Sequence, residues 1–222
     1  MLPRTLEPEV MDTPAEAADY DAMDHAEVNR LFVADFLRAA GAEEGTVLDV
    51  GTGTALIPIE LCRQSGRWRV VALDLAEEML KLARRNVERE GFGDRIRLER
   101  TDAKSLPCAD GSFDALMSNS IVHHIPKPAT VLAEMVRVLR PGGLLFVRDL
   151  LRPHDGETVE QLVAAYAGGE NEHSRAMFHA SLHAALTLDE MRELLRNLGL
   201  STGWVEQTSD RHWTLCGFTK TG

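Results

Sequence analysis

Short apolar runs alternate with amphipathic stretches along the middle of the chain. Five segments have the length and pattern of strands: 47–50, 68–73, 95–100, 113–117 and 144–147. Three stretches between them carry apolar residues at the spacing of a helix face: 56–62, 79–87 and 131–139. Strands that alternate with helices predict an α/β fold, here a Rossmann-like, doubly wound and mostly parallel sheet.

The first 24 residues are acidic and interrupted by prolines, and the chain then turns helical. From Ala26 one apolar face is predicted, made of Val28, Leu31, Phe32, Phe36 and Leu37. Turn residues set two boundaries further along: Ser118–Ser120 is expected to break the fourth strand, and Pro141–Gly143 to turn into the fifth.

After Asp149 the strand–helix alternation weakens. Residues 152–186 are interpreted as a mostly helical insertion or lid, and the capping box Thr187–Glu190 predicts a helix that ends at Gly199. Segments 202–206 and 212–219 are typical of an antiparallel hairpin. We expect a single domain over 1–222, divided into an N-terminal cap, a cofactor-binding core, a lid and a C-terminal helix with hairpin: 1–45, 46–150, 151–186 and 187–222.

Composition narrows the function classes. A chain of 222 residues suits one domain, and its net charge of −11 argues against binding to nucleic acid, because no basic surplus is available to displace counterions. There is neither a basic leader nor an 18-residue apolar run, so we expect no export and no membrane partner. The three cysteines are widely spaced, which favours reduced thiols and a cytoplasmic location. Oligomeric state stays open.

The candidate binding site begins at the first strand, where Gly51-Thr52-Gly53 forms a turn before a helix. Such a turn exposes main-chain N–H groups at a strand's carboxyl end, where open parallel sheets bind ligands. A nicotinamide-binding turn would need a third glycine at position 56, and this chain has Leu56. A plain connecting turn is the alternative without function.

A better match is an acidic residue followed by the glycine pair: Asp49, Gly51, Gly53 and then the small residue Ala55. This pattern resembles the first motif of class I S-adenosylmethionine-dependent methyltransferases, in which glycine is commoner at the position of Ala55. The stretches 106–114 and 138–143 also resemble that family, in the same order along the chain. The resemblance implies a seven-stranded sheet with a C-terminal antiparallel hairpin, and S-adenosylmethionine as cofactor.

The resemblance also implies roles for individual residues. The turn residues Gly51, Thr52 and Gly53 are expected to contact the cofactor. Asp74, 21 residues after Gly53 and followed by Leu75, is expected to accept the ribose hydroxyls, or else to cap a helix. Asp102 and Ala103 are expected at the adenine. Ser118 and Asn119 are expected near the methionine amino group. The N-terminal helix would cover the cofactor, with Tyr20 as a cation–π partner of the sulfonium or an ordinary aromatic anchor.

For catalysis, His124 or His123 is the candidate general base, because imidazole titrates near neutral pH. The alternative is that His124 only shapes the pocket floor. Asp149 is expected at the mouth of the site. His179 and His183 have the four-residue spacing of metal ligands, with His173 or Asp189 as a possible third ligand, but solvent-facing or substrate-shaping roles are favoured, and no metal is expected.

The expected function is transfer of a methyl group to an oxygen, nitrogen or sulfur of a small molecule. The sequence after the fourth strand lacks N-P-P-Y or D-P-P-Y, which argues against methylation of adenine N6, cytosine N4 or glutamine. The second possibility is a non-catalytic S-adenosylmethionine-binding module with a regulatory or scaffold role. A nicotinamide oxidoreductase is the third.

Overall fold

A computed structural model describes residues 2–8, 10, 12–23 and 25–220 of the chain. The strands are Gly45–Val50 (β1), Trp68–Asp74 (β2), Ile96–Arg100 (β3), Phe113–Asn119 (β4), Leu139–Leu150 (β5), Val205–Gln207 (β6) and His212–Phe218 (β7). The helices within those described ranges are Pro14–Ala22 (α1), Ala26–Ala40 (α2), Leu56–Gln64 (α3), Glu77–Arg89 (α4), Pro128–Val138 (α5), Gly156–Ala167 (α6), Glu172–Ala184 (α7) and Leu188–Asn197 (α8). None of these helices is long and apolar enough to cross a membrane.

The strands form one seven-stranded sheet in the order β3-β2-β1-β4-β5-β7-β6. β1 runs parallel to both β2 and β4, β2 runs parallel to β3, and β6 is antiparallel to β7. Chain order reverses direction beside β1, which is the switch point where open α/β sheets bind ligands. The predicted fold class, including the C-terminal antiparallel hairpin, is therefore confirmed.

Several boundaries differ from the prediction. β4 continues through Ser118 and Asn119 instead of breaking there. β5 already includes Pro141–Gly143, because the main chain of this corner pairs with Thr219: the Gly142 N–H donates to the Thr219 carbonyl and the Thr219 N–H to the Gly143 carbonyl. The first hairpin arm is only three residues long, since 202–204 form a 3₁₀ turn.

The N-terminal helices also differ from the prediction. α1 was not separately predicted, although its start carries a capping box in which the Glu16 N–H donates to Thr13. On α2 the buried face holds Phe32, Val33 and Phe36, whereas Val28 and Leu31 are exposed. The buried face of α2 is therefore centred on Val33 and does not include Leu31. Val28 lies in the first turn of the helix.

The described chain forms two compact units. The larger comprises residues 10–119, 130–147 and 216–220, and its core contains an aromatic cluster in which Phe36 packs edge-on against Trp68 and Phe146. The smaller comprises residues 2–8, 120–129 and 148–215. Within it, α6 and α7 confirm the helices expected between 152 and 186, and α8 begins at the predicted capping box. The fourfold division of the chain stays a prediction.

Candidate functional site

The glycine turn of the larger unit is fixed on the end of β2. The N–H groups of Gly51 and Thr52 both donate to the Leu73 carbonyl, at 2.9 and 2.8 Å. Gly51 and Gly53 have φ values of 78° and 55°, the left-handed region that glycine adopts without a steric penalty. Ala55 has the same backbone conformation (φ 64°), which for an alanine costs about 1 kcal/mol.

Asp74 joins the glycine turn to the chain that leaves β2. One carboxylate oxygen accepts the Gly53 N–H at 2.7 Å, and the other accepts the Ala76 N–H at 2.9 Å. The residue that caps α4 is Ala76, so Asp74 is not the helix cap that was its alternative interpretation. Burial raises the pKa of the Asp74 carboxyl, and these N–H donors oppose that effect. Its side chain is thus fixed beside the glycine turn.

Asp49, at the end of β1, carries a buried polar atom without a partner. Its Oδ2 accepts no well-aligned hydrogen bond from the described residues. The nearby Thr52 hydroxyl lowers the pKa of Asp49, but burial has the larger, opposite effect. Burial, together with the nearby Asp74 carboxylate, raises the pKa of Asp49 to about 7. A buried carboxylate in this condition is suited to receive a cationic ligand group.

Tyr20 of α1 lies against the same turn. A Cβ placed on Gly53 would lie in ordinary contact with the ring, 3.4 Å from Tyr20 Cε1. The phenol pKa is raised to about 12 by burial and by the carboxylates of Asp74, Asp49 and Asp21. α1 is itself held by a bond of 2.8 Å from Asn86 to Asp21. The structure therefore brings the predicted Tyr20 to the predicted turn.

The remaining expected cofactor residues lie at the ends of neighbouring strands in this unit. Asp102 accepts the Lys104 N–H at 2.9 Å. Burial alone would raise the pKa of the Asp102 carboxyl, but the contacts with Lys104 outweigh burial and bring that pKa below its ordinary value. The Thr101 N–H donates to the Asp74 carbonyl, which ties the end of β3 to the end of β2. Ser118 is completely buried and donates its hydroxyl to the Val50 carbonyl, so that group already has a structural partner.

Three further expected residues have less direct surroundings. Leu75 accepts the Arg100 Nε–H through its carbonyl, at 3.1 Å. Ala103 is half-buried in the turn that follows Asp102, and Asn119 is half-buried at the end of β4. Their roles toward a cofactor stay predictions.

This part of the larger unit fits S-adenosylmethionine chemically. The cofactor carries a sulfonium and an ammonium, and the turn is surrounded by the carboxylates of Asp49, Asp74 and Asp21 and by an aromatic face. The unpartnered Oδ2 of Asp49 supplies an acceptor for a charged donor. The residues present therefore suit a cationic nucleoside better than the pyrophosphate of a dinucleotide.

The two candidate catalytic histidines belong to the smaller unit, in the 3₁₀ turn Val122–His124. Asp149 is completely buried there, and not at an open mouth as predicted. It accepts the N–H groups of Val122 and His123 at 2.6 and 3.3 Å, and it contacts the His123 ring at Nδ1. Because its main-chain donors lie in the turn, Asp149 holds that turn in place.

Glu7 completes this group, and sequence reasoning missed it. Its Oε1 lies 3.4 Å from His123 Nε2 and 3.1 Å from His124 Nδ1. Glu7 precedes the histidines by more than a hundred residues and belongs to no motif, so no local signal marks it.

The predicted pair His179 and His183 lies on α7 with ring centroids 4.8 Å apart, and neither His173 nor Asp189 joins them in a cluster of metal-ligand type among the described residues.

Comparison with known proteins gives a consistent result. Residues 48–147 match a family described as a methyltransferase domain. The chain is similar to methyltransferase GfsG of Streptomyces halstedii (39% identity over 47% of this chain and 37% of that protein). It is also similar to a demethylmenaquinone methyltransferase of Desulfitobacterium hafniense strain Y51 (34% identity over 49% of this chain and 43% of that protein). The chain thus spans less than half the length of these two relatives.

Among solved structures, a methyltransferase from Aquifex aeolicus described as SAM-dependent superposes with a TM-score of 0.70. The match covers 94% of this chain and 99% of that chain, at 20% sequence identity. At that level of identity the likeness concerns the fold.

Proposed function

Because this chain belongs to the class I S-adenosylmethionine-dependent methyltransferase family, we propose that it is an EC 2.1.1 enzyme that methylates a small molecule. The expected family and cofactor are confirmed; the acceptor, an oxygen, nitrogen or sulfur nucleophile, is the proposal. One observation carries the assignment as a cofactor-binding enzyme: Asp74 fixes the glycine turn beside the buried, unpartnered Asp49. The name of the demethylmenaquinone methyltransferase relative supports an acceptor of small-molecule class.

Each cofactor contact is proposed on the geometry of the larger unit. Asp74 would accept the ribose hydroxyls with lone pairs that its two N–H donors leave free, Asp49 would face the ammonium, and Asp102 with Ala103 would bind the adenine. When bound, the cofactor supplies an electrophilic methyl group on a sulfur that leaves as a neutral thioether. The protein therefore needs no acid for the leaving group.

Positioning is the main contribution asked of the protein. Alignment of a nucleophile with the breaking bond supplies roughly 7–11 kcal/mol in well-oriented intramolecular reactions. The Tyr20 ring lies against the glycine turn and would face one side of the bound cofactor. For acceptors that must lose a proton, we propose His124 as the base, because it is the more exposed of the two histidines; His123 is almost completely buried.

A non-catalytic S-adenosylmethionine-binding module is the second candidate. The same geometry would serve it, and turnover distinguishes the two. We further propose that the protein acts in the cytoplasm on a small molecule and binds neither nucleic acid nor membrane, in keeping with its net charge of −11.

Thermal unfolding with and without S-adenosylhomocysteine tests cofactor binding first. A ligand that binds only the folded state stabilises it by roughly 2.7 kcal/mol at a hundred times its Kd. The protein is expected to be stabilised by S-adenosylhomocysteine and not by NAD. Stabilisation by NAD alone would overturn the proposal. Methyl transfer from labelled cofactor into a small-molecule extract then separates the enzyme from the binding module.

Cofactor affinity is expected to rise with pH through the titration of Asp49. Binding of an ammonium favours the ionised carboxylate, so ionisation and binding are linked. With a pKa of about 7, S-adenosylhomocysteine should bind about tenfold more weakly at pH 6 than at pH 8. Without ligand the raised pKa acts oppositely, and the contribution of Asp49 to stability falls as pH rises towards 7. Calorimetry measures the affinity for S-adenosylhomocysteine across this pH range in the original protein and in Asp49→Asn. An equal dependence of affinity on pH in both proteins would exclude a contact between Asp49 and the ammonium.

The general-base proposal predicts a split between turnover and affinity. His124→Ala is expected to lower kcat by about 10²–10⁴-fold, the usual contribution of a general base, for an acceptor that must lose a proton. The Kd for S-adenosylhomocysteine should change less than twofold, because the cofactor contacts proposed above do not include His124. Single-turnover rates and calorimetry measure the two quantities, and unchanged turnover would exclude the base role.

A further inference from the structure

Three side chains of the smaller unit place ligand atoms around one point. Glu7 Oε1, His123 Nε2 and His124 Nδ1 all lie within 4.8 Å of one another, the only such group of three among the described residues. The side chains are 9%, 3% and 17% exposed, so the group is enclosed and not a surface cluster. Two imidazoles and one carboxylate form a donor set that suits zinc and related divalent transition cations.

The distances are compatible with three ligands of one cation. Oε1 of Glu7 lies 3.4 Å from His123 Nε2 and 3.1 Å from His124 Nδ1. Neither contact has hydrogen-bond geometry, and Glu7 Oε1 and His124 Nδ1 are both buried without a partner in the described part of the chain. In a tetrahedral zinc site with bonds of about 2.0–2.1 Å, neighbouring ligand atoms are about 3.3 Å apart.

A second layer of contacts orients two of the three ligands. Asp149 contacts Nδ1 of His123, which leaves Nε2 free towards Glu7; this is the carboxylate–histidine arrangement common behind metal ligands. The Ser181 hydroxyl donates to Glu7 Oε2 at 3.1 Å, which leaves Oε1 towards the histidines. The donor atoms are therefore presented by side chains whose other polar atoms are already engaged.

The main chain is fixed as well. Arg4 donates to the carbonyls of His123, Ile125 and Ala184 at 3.0, 3.1 and 2.7 Å, and the Thr5 N–H donates to the His183 carbonyl. These bonds connect the segment that carries Glu7 to the turn that carries the histidines. The Arg4 guanidinium bonds these carbonyl groups and also interacts electrostatically with Asp149.

We propose that Glu7, His123 and His124 bind one divalent transition cation of the zinc class. The fourth position is open to a water molecule or an oxygen of a small ligand, as in sites with three protein ligands. In the metal-bound protein both histidines hold the cation, so the metal site and the general-base role proposed above for His124 exclude each other. The cation also joins the N-terminal segment to the 3₁₀ turn. This site does not depend on the proposed methyl transfer.

The test uses the full chain without a histidine tag, freed of metal by a chelator. Titration with Co²⁺ is expected to give the intense visible bands of a tetrahedral site at one equivalent, and Zn²⁺ is expected to displace it. Glu7→Gln should weaken Zn²⁺ binding at least a hundredfold, and Ser181→Ala should weaken it by about tenfold through the loss of ligand orientation.

His179→Ala is the matched control, because His179 belongs to an exposed histidine pair with metal-like spacing on the same unit. The proposal requires this variant to bind Zn²⁺ as the original protein does. Absence of a tetrahedral cobalt spectrum overturns the proposal, and so does loss of binding in His179→Ala with retention in Glu7→Gln. Circular dichroism of the metal-free variants verifies folding, and Ser181→Ala provides a second reading should Glu7→Gln fail to fold.

Discussion

Replacing Asp74 by alanine is expected to weaken S-adenosylhomocysteine binding by at least about a hundredfold, because each hydrogen bond to a charged group contributes about 1.5–3 kcal/mol and two ribose bonds are lost. The change also removes the acceptor of the Gly53 N–H and so loosens the turn. The fold is expected to persist, since the strands on either side keep their ladder bonds. Isothermal calorimetry of the folded variant measures the loss.

Two further variants test whether the loss of affinity comes from the charge of Asp74 at its own position or from any loss of negative charge in the protein. Asp74→Asn keeps one acceptor oxygen and should bind with intermediate affinity. Asp94→Ala removes an equal charge from the exposed loop before β3 and should leave the affinity unchanged. Unaltered binding by Asp74→Ala would exclude the ribose role of this carboxylate.

Replacing Asp149 by alanine is expected to destabilise the protein by about 3–5 kcal/mol, because several buried N–H groups lose their acceptor at about 1–3 kcal/mol each. Its carboxylate accepts the N–H groups of Val122, His123 and Leu150 and contacts the His123 ring. Burial alone would raise the pKa of Asp149, but His123 and these donors lower it overall, so the ionised form stabilises the fold at neutral pH. Alanine would leave buried donors without a partner.

Urea unfolding followed by circular dichroism measures this effect. Asp155→Ala is the matched control: Asp155 caps α6 at an exposed position, and its loss should destabilise the protein much less than the loss of Asp149. Asp149→Asn should lie between the two, because it keeps the size of the side chain and loses its charge. A midpoint for Asp149→Ala equal to that of Asp155→Ala would show that the buried contacts contribute little.

The strand–turn–helix order and the position of the glycine turn could be predicted because their signals are local. Apolar periodicity identified most strands and helices, and the spacing from Gly53 to Asp74 reflects one strand–helix–strand unit, which ends with the carboxylate bonded to the turn. Boundaries were wrong where pairing with distant chain overrode local turn residues. Pro141–Gly143 reads as a turn, and its pairing with Thr219 makes it part of β5.

The side chains that surround His123 and His124 could not be predicted, because their positions depend on tertiary contacts. Glu7 and Asp149 contact the histidines from distant parts of the chain, Ser181 donates to Glu7 from a third part, and no periodicity relates the three. Asp149 was recognised as a polar residue at a strand end, where side chains often face a ligand. Only the structure shows that it is completely buried against the main chain of the turn.

The carboxylate of Asp74 holds Gly53 and Ala76 whether or not a ligand is present. Loop architecture and the proposed recognition of the ribose thus reside in a single residue. An engineer who seeks to redirect this site to another nucleotide by exchanging Asp74 would also loosen the loop that shapes it. Redesign has to begin elsewhere on the rim, with Asp74 retained.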